Sequence, residues 1–208
     1  MFITFEGIDG SGKTTILELL SQEWREQKRD FLLTREPGGS VLGEDLRTLL
    51  LSPQKNRLSK EAELFLFLAD RAEHVAQVIR PALEKGRIVL CDRYTDSTLV
   101  FQGYARGFDL ALLRSLNDCA TNCLEADATL LFDLPCEMAL ERLRNRREKA
   151  GEESRIDAEK KAFHEKVREG YLAEARRRKD RFYCIDASRT IPEVLASTRE
   201  IINTILKK

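Results

Sequence analysis

The residues best equipped for chemistry stand at the beginning of the chain. Gly7-Ile8-Asp9-Gly10-Ser11-Gly12-Lys13-Thr14 has the spacing G-x-x-x-x-G-K-[ST] of a loop that wraps phosphate. Glycines let such a backbone curl until successive N–H groups point inward at phosphate oxygens. A helix starting at about Lys13 adds its positive end. Lys13 then reaches the β and γ phosphates of a nucleoside triphosphate, and the Thr14 hydroxyl holds Mg²⁺. Asp9 is the odd member, because a carboxylate inside an anion-binding loop is electrostatically costly. It is expected to face away from the ATP phosphates toward a hydrogen-bond donor, for which the sugar hydroxyl of a second substrate is the obvious candidate. A second cluster follows another apolar run: Asp92 is placed to orient Mg²⁺ through water, and Arg93 offers a forked donor to a phosphate.

These groups need a frame to hold them. Five short apolar runs read as strands: Phe2–Phe5, Phe31–Leu33, Ile88–Cys91, Ala128–Phe132 and Phe182–Ile185. Longer segments of helical period separate them; Ile16, Leu17, Leu20 and Trp24, for example, share one helical face. The runs are continuously apolar, as strands buried on both faces must be. The alternation predicts an α/β fold, a P-loop NTPase-type three-layer sandwich with a five-stranded parallel sheet flanked by helices. Ligands then collect beyond the carboxyl ends of the strands, where Lys13, Asp92 and Arg93 fall. The 208 residues are expected to form a single domain. The polar stretch Arg144–Lys161, dense in both charges, predicts a flap rather than core, with the lid spanning about 144–157.

Composition narrows the function classes. Lys plus Arg equals Asp plus Glu at 35 each, which argues against a nucleic-acid-coating protein. From Arg142 to Arg181 there are 15 basic and 9 acidic residues, a local surplus suited to a small phosphorylated ligand. No stretch approaches a membrane span, and the first residues run directly into a strand-like segment, so the cytoplasm is the expected compartment. Cys91, Cys119, Cys123, Cys136 and Cys184 show no zinc spacing and read as reduced, structural thiols. The D-x-x-G and N-K-x-D patterns of a GTPase switch are missing.

Five ordered motifs go further. Phe5 through Thr14, Thr34-Arg35-Glu36-Pro37-Gly38-Gly39, Gly43-Glu44-Asp45-Leu46-Arg47 with Leu49–Leu51, Phe67 through Arg71, Asp92-Arg93-Tyr94 with Ser97 and Phe101-Gln102-Gly103, and Arg155-Ile156-Asp157 together resemble thymidylate kinases over nearly the whole chain. The resemblance implies transfer of a phosphoryl group from ATP, with Mg²⁺, to dTMP. It places Phe67 against the thymine ring, Arg71 on its carbonyl, and Ser97, Thr98 and Gln102 around the base. Arg35-Glu36-Pro37-Gly38 resembles the acceptor-phosphate loop, and Arg93 falls where the family grips that phosphate. Phe101 stands where the family usually has Tyr crowding a ribose 2′-hydroxyl, and Val100 replaces a smaller residue. The loop at Gly7–Thr14 holds no arginine, whereas Arg144, Arg146, Arg147 and Arg155 crowd the flap. That resembles the subgroup whose catalytic arginine comes from the lid, with Arg147 and Arg155 leading. The family also implies a homodimer. Kinases for other nucleoside monophosphates, and a nucleotide-binding switch without turnover, are the alternatives.

Overall fold

Every predicted strand forms, and each runs one or two residues past its apolar core. β1 is Phe2–Glu6, β2 Phe31–Arg35, β3 Ile88–Asp92, β4 Ala128–Asp133 and β5 Phe182–Asp186. The added last residue is charged in all five. An apolar run marks where a strand is buried on both faces, and the charge marks where it emerges into the ligand crevice. The computed structural model describes residues 1–52, 58–150 (backbone only at 149 and 150), 154, 156, 157 and 159–207.

The strands lie in the order β2-β3-β1-β4-β5, all parallel, with Phe5 opposite Asp92 on one side and Leu130 on the other. The chain leaves β1 toward β2 and leaves β3 in the opposite sense toward β4. Right-handed crossovers therefore send these two connections to opposite faces of the sheet and open a crevice between the carboxyl ends of β1 and β3. Helix α1 (Lys13–Glu26) covers one face beside α9 (Ile191–Ile205). Ile16, Leu17, Leu20 and Trp24 all point inward, as their spacing predicts.

The other face carries α2 (Val41–Leu51), α3 (Lys60–His74), α4 (Arg80–Glu84), α5 (Thr95–Thr98), α6 (Leu110–Thr121), α7 (Cys136–Ala150) and α8 (Lys161–Arg177). Two π-helical stretches interrupt them, Val75–Ile79 between α3 and α4 and Leu99–Ala105 after α5. Such widened turns re-aim side chains, and the second carries Phe101 and Gln102. Two expectations change. Arg144 to Ala150, the start of the expected flap, are the last turns of α7, and Ile156, expected outside the core, is buried. Cys119, Cys123 and Cys184 are exposed, so only Cys91 and Cys136 belong to the interior. Among the described residues no helix is long and apolar enough to cross a membrane.

Candidate active site

The loop after β1 closes because two of its glycines have no side chain. Gly7 has φ 146° and Gly10 φ 82°; a Cβ would lie 2.5 Å from the Phe132 carbonyl oxygen in the first case and 2.7 Å from that of Ala139 in the second. The loop packs against β4 and α7 through these contacts. Inside it the Lys13 ammonium donates to the carbonyls of Gly7 (2.9 Å) and Ile8 (3.1 Å) and to Ser11 Oγ (3.3 Å). Burial, reinforced by the nearby Arg93 charge, pushes its pKa down to about 8. Thr14 Oγ1 donates to Asp92 Oδ2 at 2.9 Å, while the buried Asp92 Oδ1 has no partner among the described residues. One hydroxyl and one unused carboxylate oxygen form a donor set that suits a hard divalent cation.

Arg93 follows β3 with φ 73°, an uncommon conformation for a residue with a side chain. Its Nη2 donates to Asp9 Oδ1 at 2.6 Å, and its Nη1 to Gly7 O and Tyr171 Oη at 3.0 Å each and to Ser97 Oγ at 3.3 Å. The guanidinium lies 5.0 Å from the Phe101 ring centre. Arg93 thus supplies the donor that Asp9 needs. Burial alone would raise the Asp9 pKa, but the charges of Arg93 and Lys13 hold it below the ordinary carboxylate value.

Beyond the Glu36–Pro37 bond, which is cis, the cavity continues toward α3. Glu36 accepts from Arg71 Nε (2.8 Å) and contacts His74 Nδ1 (3.0 Å). Arg71 also donates through Nη1 to Thr98 Oγ1 and Asn117 Oδ1, and through Nη2 to the Tyr94 carbonyl. These bonds account for four of its five N–H groups and leave one Nη2 hydrogen for a ligand. Ser97 Oγ donates to Glu6 and Gln102 Nε2 to Glu63, so both side chains are already anchored within the protein.

A cavity of about 680 Å³ joins these pieces. Asp9 to Thr14, Glu36, Pro37, Phe67, Arg71, Asp92, Arg93, Ser97, Thr98, Phe101 and Gln102 all reach its wall. Gly7 and Ile8 lie behind it, contributing the carbonyls that hold Lys13. Arg147 is exposed and off this wall, and Arg155 lies outside the described residues. Arg146 is on the wall instead, donating to Asp157 Oδ2 at 2.6 Å.

Several wall residues were given no role of their own by the sequence, although Arg35 and Arg47 stand in its motifs. Arg35 ends β2, and Arg47 on α2 donates to the Pro37 carbonyl at 2.8 Å. Burial, then the charges of Arg35 and Arg93, lowers the Arg47 pKa, which marks a region that attracts an anion. At the opposite end Arg142 donates to the carbonyls of Gly10 and Ala187, and Arg189, Thr190, Ile191 and Val194 also line the wall. The signal for that last segment was present: it follows the fifth strand, and Thr190 with Glu193 forms a capping box opening α9.

Asp70 sits behind the Glu36–Pro37 turn, with Oδ1 accepting from Gly38 N at 2.9 Å and a buried Oδ2 lacking a partner among the described residues. Burial and the Glu36 charge raise its pKa to about 6. A raised carboxylate pKa contributes stability below the unfolded value that is lost as pH rises through about 6. Asp70→Asn should therefore match the parent at about pH 3, below the unfolded pKa, and exceed it at pH 8 by about 2 kcal/mol. Denaturant unfolding at both pH values checks this; an equal difference at the two would refute it.

Comparisons with known proteins agree with this geometry. The family model described as thymidylate kinase matches residues 5–198. Thymidylate kinase of Desulfovibrio desulfuricans is 53% identical, the alignment covering 100% of this chain and 97% of the relative. That of Symbiobacterium thermophilum is 44% identical, covering 100% and 95%. The crystal structure of thymidylate kinase from Ehrlichia chaffeensis superposes with a TM-score of 0.76 at 34% identity, covering 97% of this chain and 98% of that one. With a loop of phosphate-binding spacing, an arginine-lined cavity and full-length similarity in one molecule, the chain belongs to the thymidylate kinase family.

Proposed function

We propose that the chain transfers the γ-phosphoryl group of ATP to dTMP, giving dTDP and ADP. The observation that carries this reading is one continuous cavity with the Lys13 loop at one end and Phe67, Arg71 and Phe101 at the other. ATP and a nucleoside monophosphate fit there with their phosphates meeting between Lys13 and Arg93. An oxygen of the acceptor phosphate attacks the γ phosphorus while the bond to the bridging oxygen breaks and ADP leaves. The acceptor has a second pKa near ~6 and is already largely a dianion, so no general base is required. Positioning and charge neutralisation do the catalysis. Lys13 and the loop amides of Gly7–Thr14 hold the donor, and Arg93, with Arg35 and Arg47, holds the acceptor phosphate. Thr14 and Asp92 would hold Mg²⁺, which when bound adds positive charge beside the β and γ oxygens. Phe67 stacks on thymine, Arg71 offers its remaining N–H to a base carbonyl, Ser97, Thr98 and Gln102 shape the base pocket, and Phe101 excludes a ribose 2′-hydroxyl.

A coupled assay offering ATP with each of dTMP, dUMP, UMP and AMP tests the acceptor. The expected order places dTMP first and AMP far below. One methyl is worth only roughly 1–3 kcal/mol, so some dUMP turnover is expected. Comparable kcat/KM for AMP would reject the reading in favour of another nucleotide kinase on this fold.

The catalytic arginine of the flap is proposed to be Arg147 or Arg155, brought in when the segment closes. Its alanine variant should lower kcat by up to about 10³-fold with little change in KM for ATP, because the contact forms mainly in the transition state. Should alanine at Arg144, Arg146, Arg147 and Arg155 in turn leave kcat within a few-fold of the parent, the missing charge comes from elsewhere on the wall. The reading also includes a cytoplasmic homodimer. Exposed Leu49, Phe65 and Leu112, on the neighbouring helices α2, α3 and α6, support self-association.

A further inference from the structure

Glu6 is wholly buried at the end of β1 and is not itself part of the cavity wall, yet its carboxylate joins the Tyr94 amide to two of the hydroxyls that hold Arg93. Oε1 accepts from the Tyr94 backbone N–H at 2.8 Å. Oε2 accepts from Ser97 Oγ and from Tyr171 Oη, each at 2.7 Å. Those two hydroxyls are in turn the acceptors on which Arg93 Nη1 rests, at 3.3 and 3.0 Å. The backbone shows the same dependence. The Arg93 N–H is tied to the Phe5 carbonyl at 3.0 Å, and the next N–H, that of Tyr94, to Glu6. With both neighbouring amides pinned to β1, Arg93 is held at its left-handed φ of 73°.

We propose that Glu6 is the positioning residue for Arg93: it sets the backbone turn from which Arg93 projects and orients the Ser97 and Tyr171 hydroxyls so that their lone pairs face the guanidinium. The direction of the hydrogen bonds matters as well as the shape. A carboxylate only accepts, so both hydroxyl hydrogens point at it and leave oxygen lone pairs for a donor-only guanidinium. In Glu6→Gln an amide nitrogen must occupy one of the two oxygen sites. At Oε2 it donates into the hydroxyls and competes with Arg93 for their lone pairs; at Oε1 it confronts the Tyr94 N–H. Either arrangement loosens Arg93. Helix α8, which carries Tyr171, is thereby coupled to the phosphate end of the cavity through one carboxylate.

This inference rests on Arg93 meeting the acceptor phosphate, and the test separates the two. Glu6→Gln, Arg93→Ala and the double variant are made in the full chain, and kcat, KM for dTMP, KM for ATP and Tm are measured for each. Glu6→Gln should lower kcat/KM for dTMP by roughly 10- to 100-fold, the scale of a misplaced positioning contact, while KM for ATP stays within about two-fold. In the Arg93→Ala background the same change should have almost no further effect, since Glu6 then has nothing left to position. Additive losses, or an unimpaired Glu6→Gln enzyme beside a crippled Arg93→Ala one, would overturn the proposal. An Arg93→Ala enzyme with parental kcat/KM for dTMP would instead remove the Arg93 reading, and this inference with it. If Glu6→Gln does not fold, Tyr171→Phe, which removes a single hydroxyl under Nη1, carries the same cycle: its loss must vanish when Arg93 is absent, and additivity refutes.

Discussion

Lys13→Met is expected to lower kcat by about 10²–10³-fold or more and to leave the chain folded, at no cost to its stability at neutral pH. The loss of rate follows from removing the only lysine that the loop directs at the donor phosphates, where transition-state charge is spread over three oxygens. The retained fold follows from the contacts. Gly7 O still accepts from Arg93 Nη1 and Ile8 O from Ser11 N, so neither carbonyl is orphaned when the ammonium goes. The linkage points the same way. Burial depresses the folded pKa of Lys13 to about 8 from 10.5, so its contribution to stability is present above the unfolded pKa and lost as pH falls through 8. At pH 7 the ammonium is charged and costs the fold something, and methionine removes that cost. Melting at pH 7 beside steady-state kinetics provides the check. Normal melting with near-parental kcat would reject the role of Lys13.

Arg93→Ala should be damaging in two separable ways. Losing the forked donor should cut kcat/KM for dTMP by about 10²-fold or more, and Arg93→Lys should recover little, since a point charge cannot replace a two-pronged contact. Stability should also fall, by about 3 kcal/mol, because Asp9 and Glu6 lose the cation between them. The left-handed backbone offers a control. Arg93→Gly should be as inactive as Arg93→Ala yet more stable by about 1 kcal/mol, glycine accepting φ 73° without a Cβ. Equal stability of the two would show that the turn relaxes when the side chain is removed. Parental dTMP kinetics in either would remove Arg93 from the acceptor site.

Local, contiguous features were the legible ones. The Gly7–Thr14 spacing specifies its own conformation within eight residues, and continuous apolar runs specify strands buried on both faces. What periodicity could not show is pairing across distance. Asp9 looked like a group seeking a sugar hydroxyl because its partner, Arg93, is 84 residues away in the chain. Arg71 looked like a free base-reading fork, whereas Glu36, Thr98, Asn117 and the Tyr94 carbonyl take four of its donors. Arg35 and Arg47 stand in motifs and Arg142 in none, and it is the fold that turns all three toward one cavity. In the run from Arg144 it was the helix that went unread. Its polarity argued against core packing, but Arg, Glu, Lys and Ala are strong helix formers, and a polar segment extends α7 without being buried. The π-helical stretch at Leu99–Ala105 has no signature in composition, although it carries Phe101 and Gln102 into place.

The most direct test of the central claim follows the phosphorus itself. Purified chain is incubated with Mg²⁺, dTMP and ATP labelled in its γ phosphate, and the nucleotides are separated and counted, with Lys13→Met as the blank. The account predicts that label passes from ATP into the β position of dTDP in step with ADP formation, with little released as free phosphate and none transferred by the blank. Label appearing only as inorganic phosphate, or passing to AMP as readily as to dTMP, would contradict it.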